Sequence, residues 1–184
     1  MRSALNDKFA KRNLPMQVLA VVVLLATAFS APLPWTPANF RGLIVGKAHR
    51  ADAIRALGSP DASQHTPIGE ELTYRSRGDH KGDLTIRLDR SAVITQIEEA
   101  FPVAIPRSRI YKELGENAIT EHFYAAKCAD GALYRDPSGS IELTLFPAHG
   151  LALWPDQHGY DFAALQYLPR QPGLAHAPAC VNHR

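Results

Sequence analysis

Cysteine is scarce in this sequence: Cys128 and Cys180 are the only two among 184 residues, so at most one internal bridge can form. No glycine-rich motif for cradling phosphate or a dinucleotide is present, and Ser138-Gly139-Ser140 lacks the pattern of a nucleophile elbow. Paired acids are equally wanting. Glu70–Glu71 and Glu98–Glu99 are adjacent, and neighbours on a strand point to opposite faces, so neither pair can act as one acid/base couple. These absences leave no catalytic constellation, and no cofactor is implied. There is also no surplus of one charge sign where it would matter. The chain carries 20 bases and 18 acids, but Arg2, Lys8, Lys11, Arg12 and Asp7 fall within the first thirty residues, and without those the counts are 16 and 17. A basic nucleic-acid surface is not indicated.

Long hydrophobic runs are missing except for one. Val18 to Phe29 reads VLAVVVLLATAF, preceded by Lys8, Lys11 and Arg12 and followed by the small residues Ala28 and Ser30 at the −3 and −1 positions of a cut before Ala31. That is the layout of a secretory signal peptide over 1–30. The alternative is an uncleaved anchor, since Leu14 to Trp35 is long enough to span a bilayer, although Pro15, Pro32 and Pro34 interrupt it. No cysteine follows the run to carry a lipid. The expected location is the periplasm or the outside of the cell, or else the inner membrane facing the periplasm. In an oxidising compartment Cys128 and Cys180 read as a disulfide, which would tie down the Pro-rich tail 169–184 and stabilise by roughly 4 kcal/mol in the chain-entropy account.

Past an extended linker, 31–45, in which Trp35 and Phe40 are candidates to dock on the domain, the chain shows a helix and three strands over 46–101. Ile54 and Leu57 lie one helical turn apart, and Gly58 with Pro60 ends the helix. Strands with period two follow: Leu72 and Tyr74, then Leu84, Ile86 and Leu88, then Val93, Ile97 and Phe101 face inward, with Thr73, Arg75, Thr85 and Arg87 outward. FPVAIPRS makes a crossing, and a looser version of the pattern occupies 102–168: a helix around Ile110, Tyr111 and Leu114 ending at Gly115, then HFYAA, SIELTLF, GLALW and FAALQYL. The expected fold is α+β, with short helices on one face of antiparallel meanders in two related units.

GKAHRADAIRALGSPD, ELTYRSRG and DLTIRLDRSAVITQI together resemble the BamE/SmpA-like family of bacterial envelope proteins, which share a small fold with β-lactamase inhibitory protein. The resemblance implies a non-enzymatic module that binds another envelope or secreted protein, and it identifies no reactive group. This chain departs from the envelope lipoproteins in lacking the lipid-bearing cysteine.

The candidate partner-binding residues are Arg75, Arg77, Arg87, Trp154 and Tyr160. Arg75 and Arg87 project from one outward face, with Arg77 at its end, and would form a basic stripe for an acidic partner. The other reading of that stripe is a solvated face balanced by Glu71 and Glu98. Trp154 and Tyr160 are of the types enriched at binding hot spots, with core packing the competing fate of Trp154. His149, Asp156, His158 and Asp161 crowd into thirteen residues and are the one asset of a hydrolase reading, but nothing in the sequence makes them converge as metal ligands. Arg77-Gly78-Asp79 sits in an ordinary turn.

Overall fold

A computed structural model describes residues 34–76, 82–125, 133–135 and 137–173. The segment 38–45 makes a small hairpin, β1 (Asn39–Phe40) and β2 (Leu43–Ile44). Its turn residues Arg41 and Gly42 both have positive φ, the backbone twist that a two-residue hairpin requires. Ala38, Phe40, Leu43 and Val45 are all buried. The expected linker 31–45 is therefore, from Ala38 onward, part of the core. Its apolar residues gave no period because each inserts from a turn or a two-residue strand.

Helix α1 (Arg50–Leu57) starts where the Asp52 carboxylate accepts the His49 N–H at 2.9 Å, and it stops at Gly58, whose φ of 84° favours glycine. Ala53 is its fully buried residue and Leu57 packs beside it, while Ile54 remains half-exposed. Four strands follow rather than three: β3 (Ala62–Thr66), β4 (Gly69–Tyr74), β5 (Asp83–Asp89) and β6 (Ile94–Pro106). The extra strand, ASQHT, is at the sheet edge and exposed along most of its length, so no apolar alternation marks it. Pro67 and Ile68 turn β3 into β4, and Gly69 is required there, because a Cβ would lie 2.0 Å from the Leu88 carbonyl oxygen.

The expected crossing over 101–108 is instead mostly strand, since β6 runs on through Pro106. The proline at 102 is tolerated because the ladder is broken there. Ala164 pairs with Ala100 and Phe162 with Ile105, leaving 101–104 bulged opposite Ala163, where a missing N–H costs nothing. Helix α2 (Arg107–Leu114) ends at Gly115. After it come β7 (Ile119–Ala125), β8 (Leu133–Arg135), β9 (Ile141–Phe146), a tight turn at Pro147–His149, β10 (Leu151–Pro155) and β11 (Asp161–Tyr167).

All nine strands from β3 onward form one antiparallel sheet in the order β3-β4-β5-β6-β11-β10-β9-β7-β8. The protein is thus α+β, and strands from both parts of the chain share a single sheet joined at the β6–β11 seam. One core cluster lies on the helix side. It takes Leu72, Tyr74, Leu84 and Ile86 from the first strands, Phe146, Leu153 and Phe162 from the last, and Ala53 and Ile110 from the helices. Alternation puts Leu143 and Leu145 of β9 on the other side, where with Phe123, Ala152 and Leu168 they form a second cluster capped by Trp35 and Leu133. Trp35 is fixed there by its indole N–H donating to the Leu168 carbonyl at 3.4 Å. Cys128 and Cys180, the signal region 1–30 and Arg77 lie outside the described residues. Among the described residues no helix is long and apolar enough to cross a membrane.

Candidate functional site

The sheet face turned away from the helices is not uniformly covered. Over β9 and β7 it is closed by the second cluster, whereas over β4, β5 and β6 it is polar: Glu71, Thr73, Thr85, Arg87, Gln96 and Glu98 alternate with the core residues. Between these two regions runs a cleft of about 730 Å³. One wall is the β3–β4 turn with Thr66, Pro67 and Ile68, the floor carries Arg87, Gln96, Glu98 and Gln166, and the far wall is Trp154, Leu133, Leu168 and the backbone at Pro172–Gly173. The volume lies in the range typical of binding cavities.

Cross-strand register assembles the floor. Glu71 stands opposite Arg87, which stands opposite Gln96, and Thr85 stands opposite Glu98, which stands opposite Gln166. Arg87 Nε donates to Glu71 Oε2 at 3.1 Å, and its Nη1 lies 3.9 Å from Glu98 Oε2. That same Glu98 oxygen accepts the side-chain amides of Gln96 at 3.2 Å and Gln166 at 2.9 Å. Gln166 is among the few buried polar residues, and this bond satisfies it. Trp154 lines the wall with its indole N–H buried and without an acceptor.

The expected residues separate accordingly. Arg87 and Trp154 come together as floor and wall of one cleft. Arg75 lies just beyond the end of β4, four residues from the partner of Arg87, or about 13 Å along the strand. Its N–H is held by the Asp61 carboxylate at 2.8 Å, and its side chain is away from the cleft. Arg75 and Arg87 therefore do not meet in that cleft. Tyr160 is 78% exposed, in the β10–β11 turn that Asp156 organises by accepting the Tyr160 and Asp161 N–H groups. Those bonds, together with that of His158, outweigh desolvation and hold the Asp156 carboxyl below its ordinary range.

The hydrolase loop does not converge. His149 and Asp156 flank opposite ends of β10, a strand about 16 Å long. The His149 ring contacts the Leu114 carbonyl at 3.2 Å, and His158 contacts Gln157. Among the described residues no group of three or more metal-ligating side chains is gathered.

No protein-family model matches the chain, and no curated protein does. Among solved structures it is similar to a cysteine-rich secretory protein from Staphylococcus aureus, at 14% identity and a TM-score of 0.45, over 74% of this chain and 48% of that one. The chain spans about half the length of that protein.

Reasoning from sequence missed Gln96, Glu98 and Gln166 as a group. The signal available was Gln166 itself, an amide inside the apolar run FAALQYL, where a buried polar side chain needs a partner.

A further carboxylate stands behind the far wall. Glu121 on β7 accepts the Gln171 amide on Oε1, and Arg135 Nε is 2.7 Å from Oε2 but its N–H is not directed at that oxygen, which accepts no hydrogen bond. Burial raises the Glu121 carboxyl above its ordinary value, against the pull of Arg135 and Gln171. An acid with a raised folded pKa favours folding most when it is protonated, and that contribution fades as pH climbs through the raised value. Glu121→Gln should therefore gain stability relative to the parent as pH goes from 4 to 7. Arg135 is half in solvent and loses little. Thermal unfolding of both proteins across that range checks this, and parallel curves would refute it.

Proposed function

We propose that this protein is an exported, non-enzymatic binding module of the bacterial envelope, of the BamE-like or β-lactamase-inhibitor-like kind, acting in the periplasm or outside the cell. Its partner is another envelope or secreted protein, received in the cleft opposite the helices. The observation that carries the reading is that cleft. It is open, is walled by a tryptophan and two leucines, and has a floor of mutually fixed polar side chains. A tryptophan and aliphatic side chains beside polar groups that are already fixed are features that protein interfaces use. If the apolar run 18–29 is retained, the module is tethered to the inner membrane facing the periplasm. The hydrolase reading has less support, because its loop residues lie apart.

The same reading takes the chain as two related helix-plus-meander units. Each helix has eight residues, buries its fourth (Ala53 and Ile110) and ends Leu-Gly with positive φ at the glycine. Each is followed by antiparallel strands, β3–β6 as a meander and β7–β11 with β7 between β8 and β9, and the two sets meet last strand to last strand at β6–β11. The cleft crosses that seam.

The test is site-directed photo-crosslinking in the source cells, with a benzophenone amino acid at Thr95, exposed on the cleft rim, and at Glu113, exposed on α2. A single envelope protein joined from position 95 and not from 113 is the expected result. Equal capture from both positions, or none from 95, defeats the proposal.

A further inference from the structure

The basic stripe read from the sequence would select an acidic partner, but the cleft that contains Arg87 has the opposite character. The Arg87 guanidinium is already engaged by two carboxylates, Glu71 at 3.1 Å and Glu98 at 3.9 Å. Glu70, at the same rim, is matched by Arg50 at 2.9 Å and by the Ser63 hydroxyl at 2.6 Å. The floor therefore holds two carboxylates around one guanidinium, a surplus of negative charge. Every contact of Glu98 falls on Oε2. None of these contacts reaches Oε1, and the Glu98 side chain is 27% exposed.

We propose that the cleft selects a cationic side chain, a lysine or arginine carried on a loop of the partner protein, with Glu98 Oε1 as its acceptor. The proposal rests on the cleft being the partner's seat, as argued above, and adds the chemistry of what enters. Three features fit a cation. The Gln96 and Gln166 amides fix the Glu98 carboxylate from one side, so its free oxygen is already oriented and loses little freedom on binding. Trp154, Leu133 and Leu168 offer apolar surface to the long methylene stem of such a side chain, and the indole face attracts the cation itself. An acidic side chain in the same position would meet Glu98 and Glu71 as like charges. A metal ion is a poorer fit, since among the described residues no third ligand joins the two carboxylates.

The test uses the intact protein and two blocked peptides, acetyl-Gly-Arg-Gly-amide and acetyl-Gly-Glu-Gly-amide. Proton–nitrogen NMR follows the Trp154 indole and the Gln96 and Gln166 side-chain amides. The arginine peptide should shift all three, at concentrations up to about 10 mM, with the effect falling as salt rises. Glu98→Gln, which keeps the shape and both neighbouring amides, should weaken that binding about fivefold or more. Equal response to the glutamate peptide, no response to either, or unchanged arginine binding in Glu98→Gln would overturn the proposal. The crosslink from position 95 separates the two readings. If it survives while arginine selectivity fails, the charge assignment falls and the cleft remains the seat. If it fails as well, both fall.

Discussion

Truncating Phe162 to alanine should remove about 3–5 kcal/mol of stability, the usual cost of deleting a buried aromatic ring. Phe162 is fully buried on β11, pairs with Ile105 across the β6–β11 seam and lies beneath the Arg107 guanidinium at 5.0 Å. Arg107 is itself fixed there, donating to the Tyr160 and Gly159 carbonyls at 3.1 Å each. The ring therefore closes the core at the junction between the earlier and later strands. A loss of that size is a large part of the 5–15 kcal/mol that holds a typical domain folded. In urea it should move the midpoint down by about 2 M. Phe162→Leu, which keeps most of the volume, should cost less than about 1.5 kcal/mol.

The same experiment reports on cooperativity. The helix-side cluster draws on both parts of the chain, so neither part completes that core without the other. Far-ultraviolet circular dichroism reads the whole sheet, whereas the fluorescence of Trp35 and Trp154 reads the second cluster. The two should unfold together in the parent and in Phe162→Ala. Two separate transitions, or a loss below about 1 kcal/mol, would show that the seam is not where the fold is held.

Much of this architecture was legible from residue pattern because half-buried strands and glycine-stopped helices leave local signatures. Leu84-Thr85-Ile86-Arg87-Leu88 alternates as it should, and Gly58 and Gly115 end their helices where expected. What escaped was of two kinds. The edge strand ASQHT and the hairpin at 39–44 have no period, the first because little of it is buried and the second because it is too short. The cleft escaped because it depends on register between distant strands. Glu98 and Gln166 are 68 residues apart, and only the β6–β11 pairing sets them side by side. Arg87 was read either as part of a basic stripe or as balanced by Glu71 and Glu98, and its ion pairs are with those two carboxylates. The proposed preference for a basic side chain follows from that pairing, where the stripe reading expected an acidic partner.

Trp154→Ala should reduce affinity for the crosslinked partner by about 30-fold or more, the loss expected when a central tryptophan is truncated at an interface. Trp154 forms the apolar wall of the cleft while its other side packs on the second cluster beside Ile141 and Leu133. Because of that double role, a loss of binding alone would be ambiguous, and Trp154→Phe resolves it. The indole N–H is buried without an acceptor, and such an unmet donor costs about 1–3 kcal/mol in the folded protein. Phenylalanine removes the donor while keeping an aromatic face. It should therefore hold stability at or above that of the parent and retain most of the partner affinity. Alanine should lose both, with the affinity loss persisting at temperatures where the variant remains fully folded. If the alanine variant, once folded, binds its partner as the parent does, Trp154 is packing alone. If phenylalanine loses as much affinity as alanine while staying stable, the partner requires the full outline of the indole rather than any aromatic face.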